Sequence, residues 1–185
     1  MNRREAVQHI SLLFGGTIAG ANAFVSCKSN DNKAISFSDK DVALLDEIAD
    51  TILPPTKTPG AKAAKVGQFM TVMVNDCYDE RDKKIFHDGL KQIQELSEKE
   101  YNNKFTGIKP EQRNALLVKL DNEQKQAMRT WKADQPKPYF RLMKELTLLG
   151  YFTSEIGCTQ ARRYIETPGR FDACIPYKKG DKAWA

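Results

Sequence analysis

Histidine is scarce in this chain, with two among 185 residues. One, His9, lies in a leader-like stretch, so the body of the chain carries only His87. A His-rich metal site is thereby excluded, and a Ser-His-Asp triad has a single candidate base. His87 falls in a charged, helix-like stretch, where a solvated imidazole is the simpler reading. Glycines beyond the leader stand singly, at positions 60, 67, 89, 107, 150, 157, 169 and 180. No GxGxxG occurs, nor GxxxxGK followed by Ser or Thr, so neither a dinucleotide-binding turn nor a phosphate-cradling loop is indicated. No CxxC or CxxCH occurs, which argues against a zinc ribbon, an iron–sulfur cluster and a c-type haem. No stretch supplies the roughly 20 strongly apolar residues that a spanning helix prefers. Lysine and acid are interspersed, so no stripe of one sign suits a nucleic acid. The carboxylates Asp76, Asp79, Glu80 and Asp82 sit at helix-start or surface spacing, with no sign of a cleft for acid–base work.

What is present begins with the leader, MNRREAVQHISLLFGGTIAGANAFVS. A basic start, a modest apolar run and small residues before a cut site make an export signal. The paired Arg3 and Arg4 with a mild apolar run resemble a twin-arginine signal, the route for cargo that crosses a membrane folded. Ala6 stands where such signals usually carry an apolar residue. Phe24-Val25-Ser26-Cys27 resembles a lipobox, in which Cys27 is acylated after cleavage. Several acyl chains add about 0.8 kcal/mol per buried CH₂, enough for stable anchoring. The alternative is a plain cleaved signal with Cys27 as a structural cysteine. Residues 28–37, KSNDNKAISF, read as a flexible tether.

Cleavage after Ser26 leaves 159 residues with a net charge of +4, one domain's worth of chain. Ser38 and Asp41 form a capping pair ahead of Val42, Leu45, Ile48, Ala49, Ile52 and Leu53, and Pro54–Pro55 stops that helix. Val66, Phe69, Met70, Met73, Val74 and Cys77 make an apolar stripe on a second helix. Asp79 and Asp82 start a charged helix whose inner face is Phe86, Leu90, Ile93, Leu96 and Tyr101. Pro110 opens a short helix carrying Leu116, Leu117 and Leu120. After the break ADQPKP, a last helix from about Tyr139 to Phe152 points Phe140, Met143, Leu146 and Leu149 inward. No strand has a convincing alternation. The expectation is an all-α domain over 38–185, an irregular bundle of five or six helices. From Thr153 the texture turns to glycine, proline and aromatics. That tail reads as an extended segment wrapping its own domain or a partner.

Cys77, Cys158 and Cys174 remain once Cys27 is set aside. Outside the cytoplasm one pair would oxidise, and the odd thiol would be left over or bridge to another chain. A Cys77–Cys174 bridge, with Cys77 on the buried face of its helix, would pin the tail for about 4–5 kcal/mol in the chain-entropy model. Cys158–Cys174 is the local alternative, and three reduced, buried thiols a third.

The tail LLGYFTSEIGCTQARRYIETPGRFDACIPYKKGDKAWA resembles the C-terminal signature of the gluconate 2-dehydrogenase subunit 3 family. The resemblance runs through Gly150–Gly157, Pro168–Phe171, Cys174 and Lys182–Ala185. It extends to ADTILPPTKTPGA, through Asp50, Ile52, Pro54, Pro55, Thr58, Pro59 and Gly60, and to the leader. It implies that Cys158, which stands where relatives carry alanine, is the leftover thiol and that Cys77 pairs with Cys174. It implies a non-catalytic small subunit whose partner is a larger FAD-dependent dehydrogenase of the glucose–methanol–choline type, acting on sugars or sugar acids. A separate cytochrome c subunit can take electrons onward. The small subunit would escort and stabilise the flavoprotein during export, and the lipobox adds a membrane tether on the periplasmic side. FAD would sit in the partner. The expected partner contacts are Tyr151, Phe152, Ser154, Glu155, Arg170, Tyr177 and Trp184, with pinning of the tail to its own bundle as the alternative. Two other functions are weighed against this one. A stand-alone anchored binding module could use Trp131 and Trp184 for stacking on carbohydrate. An enzyme in its own right would need a flavin motif that the chain lacks.

Overall fold

The computed structural model of the chain describes residues 36–184, which lie within one compact unit. Arg3, Arg4, Cys27 and nearly all of the tether lie outside the described residues. Five α-helices follow in order: α1 (Asp39–Ile52), α2 (Val66–Cys77), α3 (Glu80–Tyr101), α4 (Pro110–Arg129) and α5 (Tyr139–Thr153). A 3-10 turn at Phe105–Gly107 and a π turn at Gly157–Ala161 complete the helical content among the described residues. Among the described residues there is no strand, only an isolated bridge between Arg163 and Trp184. The all-α expectation holds.

Local chemistry sets the boundaries. Ser38 Oγ accepts from the Asp41 amide at 3.3 Å, and Asp41 Oδ2 accepts from the Ser38 amide at 2.9 Å, which closes the capping box of α1. Leu53 makes the last bond, its amide donating to the Ala49 carbonyl at 2.9 Å, and Pro54 and Pro55 then offer no N–H to continue the ladder. Asp79 caps α3 through the Asp82 amide at 2.7 Å, and Asn102 ends it in the left-handed region at φ 52°. Pro110 opens α4. That helix runs 20 residues, longer than expected. Its second half, NEQKQAMR, is rich in helix formers, so propensity carries it past the apolar stripe.

Helix α5 packs against each of α1, α2, α3 and α4. Its central place explains why it buries Phe140, Leu142, Met143, Leu146, Thr147, Gly150 and Tyr151, an arc about half the circumference wide. Leu149, expected inward, falls just outside that arc and is exposed. Thr147 Oγ1 donates to the Met143 carbonyl at 2.8 Å, so its buried hydroxyl is satisfied. Asp121 of α4 accepts from Lys144 of α5 at 2.6 Å. Partial burial would raise the Asp121 pKa, but hydrogen bonds from Lys125, Lys144 and Gln124 hold it down at about 2.

His87 departs from its solvated reading. Its ring stacks on Phe37 at 4.1 Å between centroids with 24° between planes, and its Nε2 is buried with no hydrogen-bond partner. Phe37 also meets Phe86 edge-on at 6.0 Å, so this last residue of the expected tether already belongs to the fold. Loss of solvent lowers the His87 pKa. Asp41 opposes that shift, Lys91 adds to it and Asp88 opposes it.

Candidate functional site

Among the described residues no three His, Cys, Asp or Glu side chains converge as a metal site, and no helix is long and apolar enough to cross a membrane. The unusual surface lies where the helices end. It rests on a seat made by two distant segments. Tyr151 is buried on α5, and its hydroxyl donates to the Pro59 carbonyl at 2.8 Å. Pro59 belongs to the loop after α1, which Asp50 holds by accepting from the Lys62 amide at 3.3 Å. Two stretches that carry the family resemblance, ADTILPPTKTPGA and GYFTSEIG, therefore meet in space.

Ser154 caps the end of α5. Its Oγ donates to the Tyr151 carbonyl at 2.7 Å and accepts from the Gly157 amide at 3.0 Å. The π turn then folds so tightly that a Cβ on Gly157 would lie 1.8 Å from the Tyr151 carbonyl oxygen. Only glycine fits that close approach. Cys158 Sγ sits 3.3 Å from the Phe152 carbonyl, the geometry of a weak thiol hydrogen bond.

Two adjacent arginines mark the boundary between the bundle and the C-terminal segment. The Arg162 guanidinium lies over the Phe152 ring, 4.6 Å from its centroid, and faces back to the bundle. The Arg163 guanidinium lies over the Trp184 ring at 4.6 Å and faces the chain end. The Arg163 amide donates to the Ala183 carbonyl at 2.8 Å, and Arg163 Nε donates to the Lys182 carbonyl at 2.6 Å. Lys182 Nζ donates in turn to the Gln160 carbonyl. Residues 164–184 thus leave the bundle and return to it as a loop clasped at its base.

Every residue of that loop is exposed. Phe171 is 91% exposed, and Tyr164, Ile165, Ile175, Tyr177 and Trp184 are exposed as well. The loop encloses an open cavity of about 650 Å³, lined in part by Ile165, Ile175 and Trp184. None of its residues joins the bundle core. Scattered exposed apolar side chains are ordinary, but Ile165, Ile175 and Trp184 share one cavity wall, and a grouped set marks an interaction surface.

The residues expected at a partner interface separate accordingly. Tyr151 is core, which corrects its placement: its ring and hydroxyl serve the seat. Phe152 and Ser154 are half-buried at the root of the loop, and Glu155 is exposed there. Arg170, paired with Asp172 at 2.9 Å, Tyr177 and Trp184 stand in the loop itself. Phe171, Ile165 and Ile175 were not among the expected contacts. Their signal was the absence of any helical period that could bury them. Trp131, considered for stacking, is half-buried and donates its indole N–H to the Gln135 carbonyl at 3.0 Å.

The cysteines also differ from expectation. Cys77, Cys158 and Cys174 are free thiols, so the Cys77–Cys174 bridge is not formed. Cys77 is exposed rather than buried. The covered face of α2 ends at Val74, and Cys77 is the last residue of the helix, beyond the reach of its neighbours. Nor does the tail wrap the bundle; its hydrogen bonds among the described residues stay within the loop or reach Gln160 and Arg163.

A helical bundle that presents a clasped apolar loop has the build of a subunit domain. Residues 39–169 match the family model described as gluconate 2-dehydrogenase subunit 3, and the chain belongs to that family. The match begins at the first residue of α1 and ends at Gly169, inside the loop. No curated protein and no solved structure matches the chain.

Proposed function

We propose that this chain is the non-catalytic small subunit of a larger FAD-dependent dehydrogenase of the glucose–methanol–choline type, acting on a sugar or sugar acid. The carrying observation is the loop over residues 164–184, whose large apolar side chains stand exposed while the bundle core is complete without them. The family name supports a partner, since a third subunit presupposes others. In this reading FAD belongs to the partner, and a separate cytochrome c subunit takes the electrons onward. Arg3 and Arg4 direct both chains through a folded-protein export route, which suits a flavoprotein that must load FAD before crossing. Cys27 then tethers the complex to the membrane through its acyl chains.

The test is isolation of the chain from a mild-detergent membrane extract. A larger, yellow protein with flavin absorbance is expected to co-purify. Cys27→Ala should move the pair to the soluble fraction, and Arg3→Lys with Arg4→Lys should hold both in the cytoplasm. Deleting residues 168–185 should abolish the association. A lone, well-behaved monomer in that extract overturns the proposal.

A further inference from the structure

The loop supports a more specific account of docking, which rests on the subunit function proposed above. Among the exposed large apolar side chains Phe171 is the most open, and it follows Pro168-Gly169-Arg170, where a Cβ on Gly169 would meet nothing within 4 Å. Burying a full phenyl ring is the largest single gain open to this surface, and interface energy concentrates in such anchors. The charges around it are uneven. Residues 162–184 carry six cationic side chains against three anionic ones. Asp172 is already paired with Arg170, and Asp181 accepts from the Lys178 amide at 2.9 Å. Lys178 and Lys179 have no ion-pair partner among the described residues. Finally, the clasp at Arg163 and Trp184 closes the loop before any partner arrives. A preclosed loop loses less conformational freedom on binding.

We infer that Phe171 is the anchor that enters an apolar pocket on the larger subunit, that Lys178 and Lys179 meet an acidic rim of that pocket, and that the Arg163–Trp184 clasp positions the anchor. The occupant of this surface is the larger dehydrogenase subunit, because it is the partner the family supplies and the loop's charge calls for an acidic face.

The test uses the full-length chain and the larger subunit that co-purifies with it, separated and recombined, with association and dissociation rates measured. Phe171→Ala should weaken binding by about 30-fold or more, the scale of an interface hot spot. Lys178→Glu with Lys179→Glu should slow association and flatten its dependence on salt. Trp184→Ala should lower the association rate more than it raises the dissociation rate, because an open loop must close first. Trp184→Phe, which keeps a ring beneath Arg163, should restore the rate. The thermal unfolding of the isolated chain should be unchanged by Phe171→Ala, which separates lost docking from lost folding. If wild-type chain binds and both Phe171→Ala and Phe171→Glu bind within threefold of it, the anchor is wrong and the subunit function stands. If wild-type chain does not bind the larger subunit, both are overturned.

Discussion

The bundle and the C-terminal loop both carry large apolar side chains and put them to opposite uses. In α1 to α5 they recur with helical spacing and meet one another: Leu45, Ile48, Met70, Phe86, Ile93 and Met143 are buried almost completely. In residues 164–184 Tyr164, Ile165, Phe171, Ile175, Tyr177 and Trp184 are all open to solvent. Composition already separates the two regions in part, since residues 164–184 hold no leucine, methionine or valine. Periodicity separates them further, because a helical repeat gathers its apolar side chains on one face, and an irregular loop scatters them. The difference teaches that an apolar side chain without a period is available to another molecule.

Substitution at matched residue types gives the sharpest break. Phe86→Ala should cost the bundle about 3–5 kcal/mol of unfolding free energy, the range for a buried phenylalanine. Phe171→Ala should change it by less than about 0.5 kcal/mol, as for an exposed site. Urea titration of both variants decides. Equal losses would mean that the loop is part of the cooperative fold. A second pair contrasts glycines. Gly157→Ala drives a methyl group into the Tyr151 carbonyl and should cost about 1–3 kcal/mol. Gly169→Ala meets nothing within 4 Å and should be silent in the same assay.

Smaller effects refine the boundary between the regions. Tyr151→Phe removes the hydrogen bond to Pro59 and should cost about 1 kcal/mol. It should also speed hydrogen exchange at the root of the loop, whereas Tyr177→Phe should do neither. The smallest effect is one of pH. His87 has its pKa lowered by desolvation, so the folded state binds its proton less readily than the unfolded state. Its contribution to stability is complete above the ordinary histidine value of about 6.5 and is lost as pH falls below it. The unfolding temperature should therefore fall between pH 7 and 5, and His87→Gln should flatten that segment.

The helices were legible because their ends are written in local chemistry: Ser38 with Asp41, Asp79 with Asp82, Pro54–Pro55 and Pro110. Their faces were less so. Leu149 lies three residues after Leu146, which reads as inward, but only packing decides how wide a buried arc α5 needs. Cys77 keeps the helical period of Val66 and Val74, yet period says nothing about where the neighbouring helix stops. The stacking of Phe37 on His87 joins residues 50 apart in sequence, and no short-range pattern announces it. Membership of the family was readable from motifs, and those motifs turn out to build the seat beneath the loop. Tyr151 and Pro59 join the two segments, while Asp50 and Gly157 shape each of them. The loop's aromatics were visible as a change of texture. Their arrangement was not, because the contact of Arg163 with Trp184 is a register between distant residues with no periodic signature.

The two fixed posts of that register, Arg163 and Trp184, turn the stretch between them into a replaceable cassette. Whatever lies from Tyr164 to Ala183 starts and finishes at the same place on the bundle, so its length can change without disturbing a single core contact. Doubling such a span costs only about 0.6 kcal/mol of closure entropy. A scaffold built this way can keep its helices constant while the span of its mouth is lengthened or shortened.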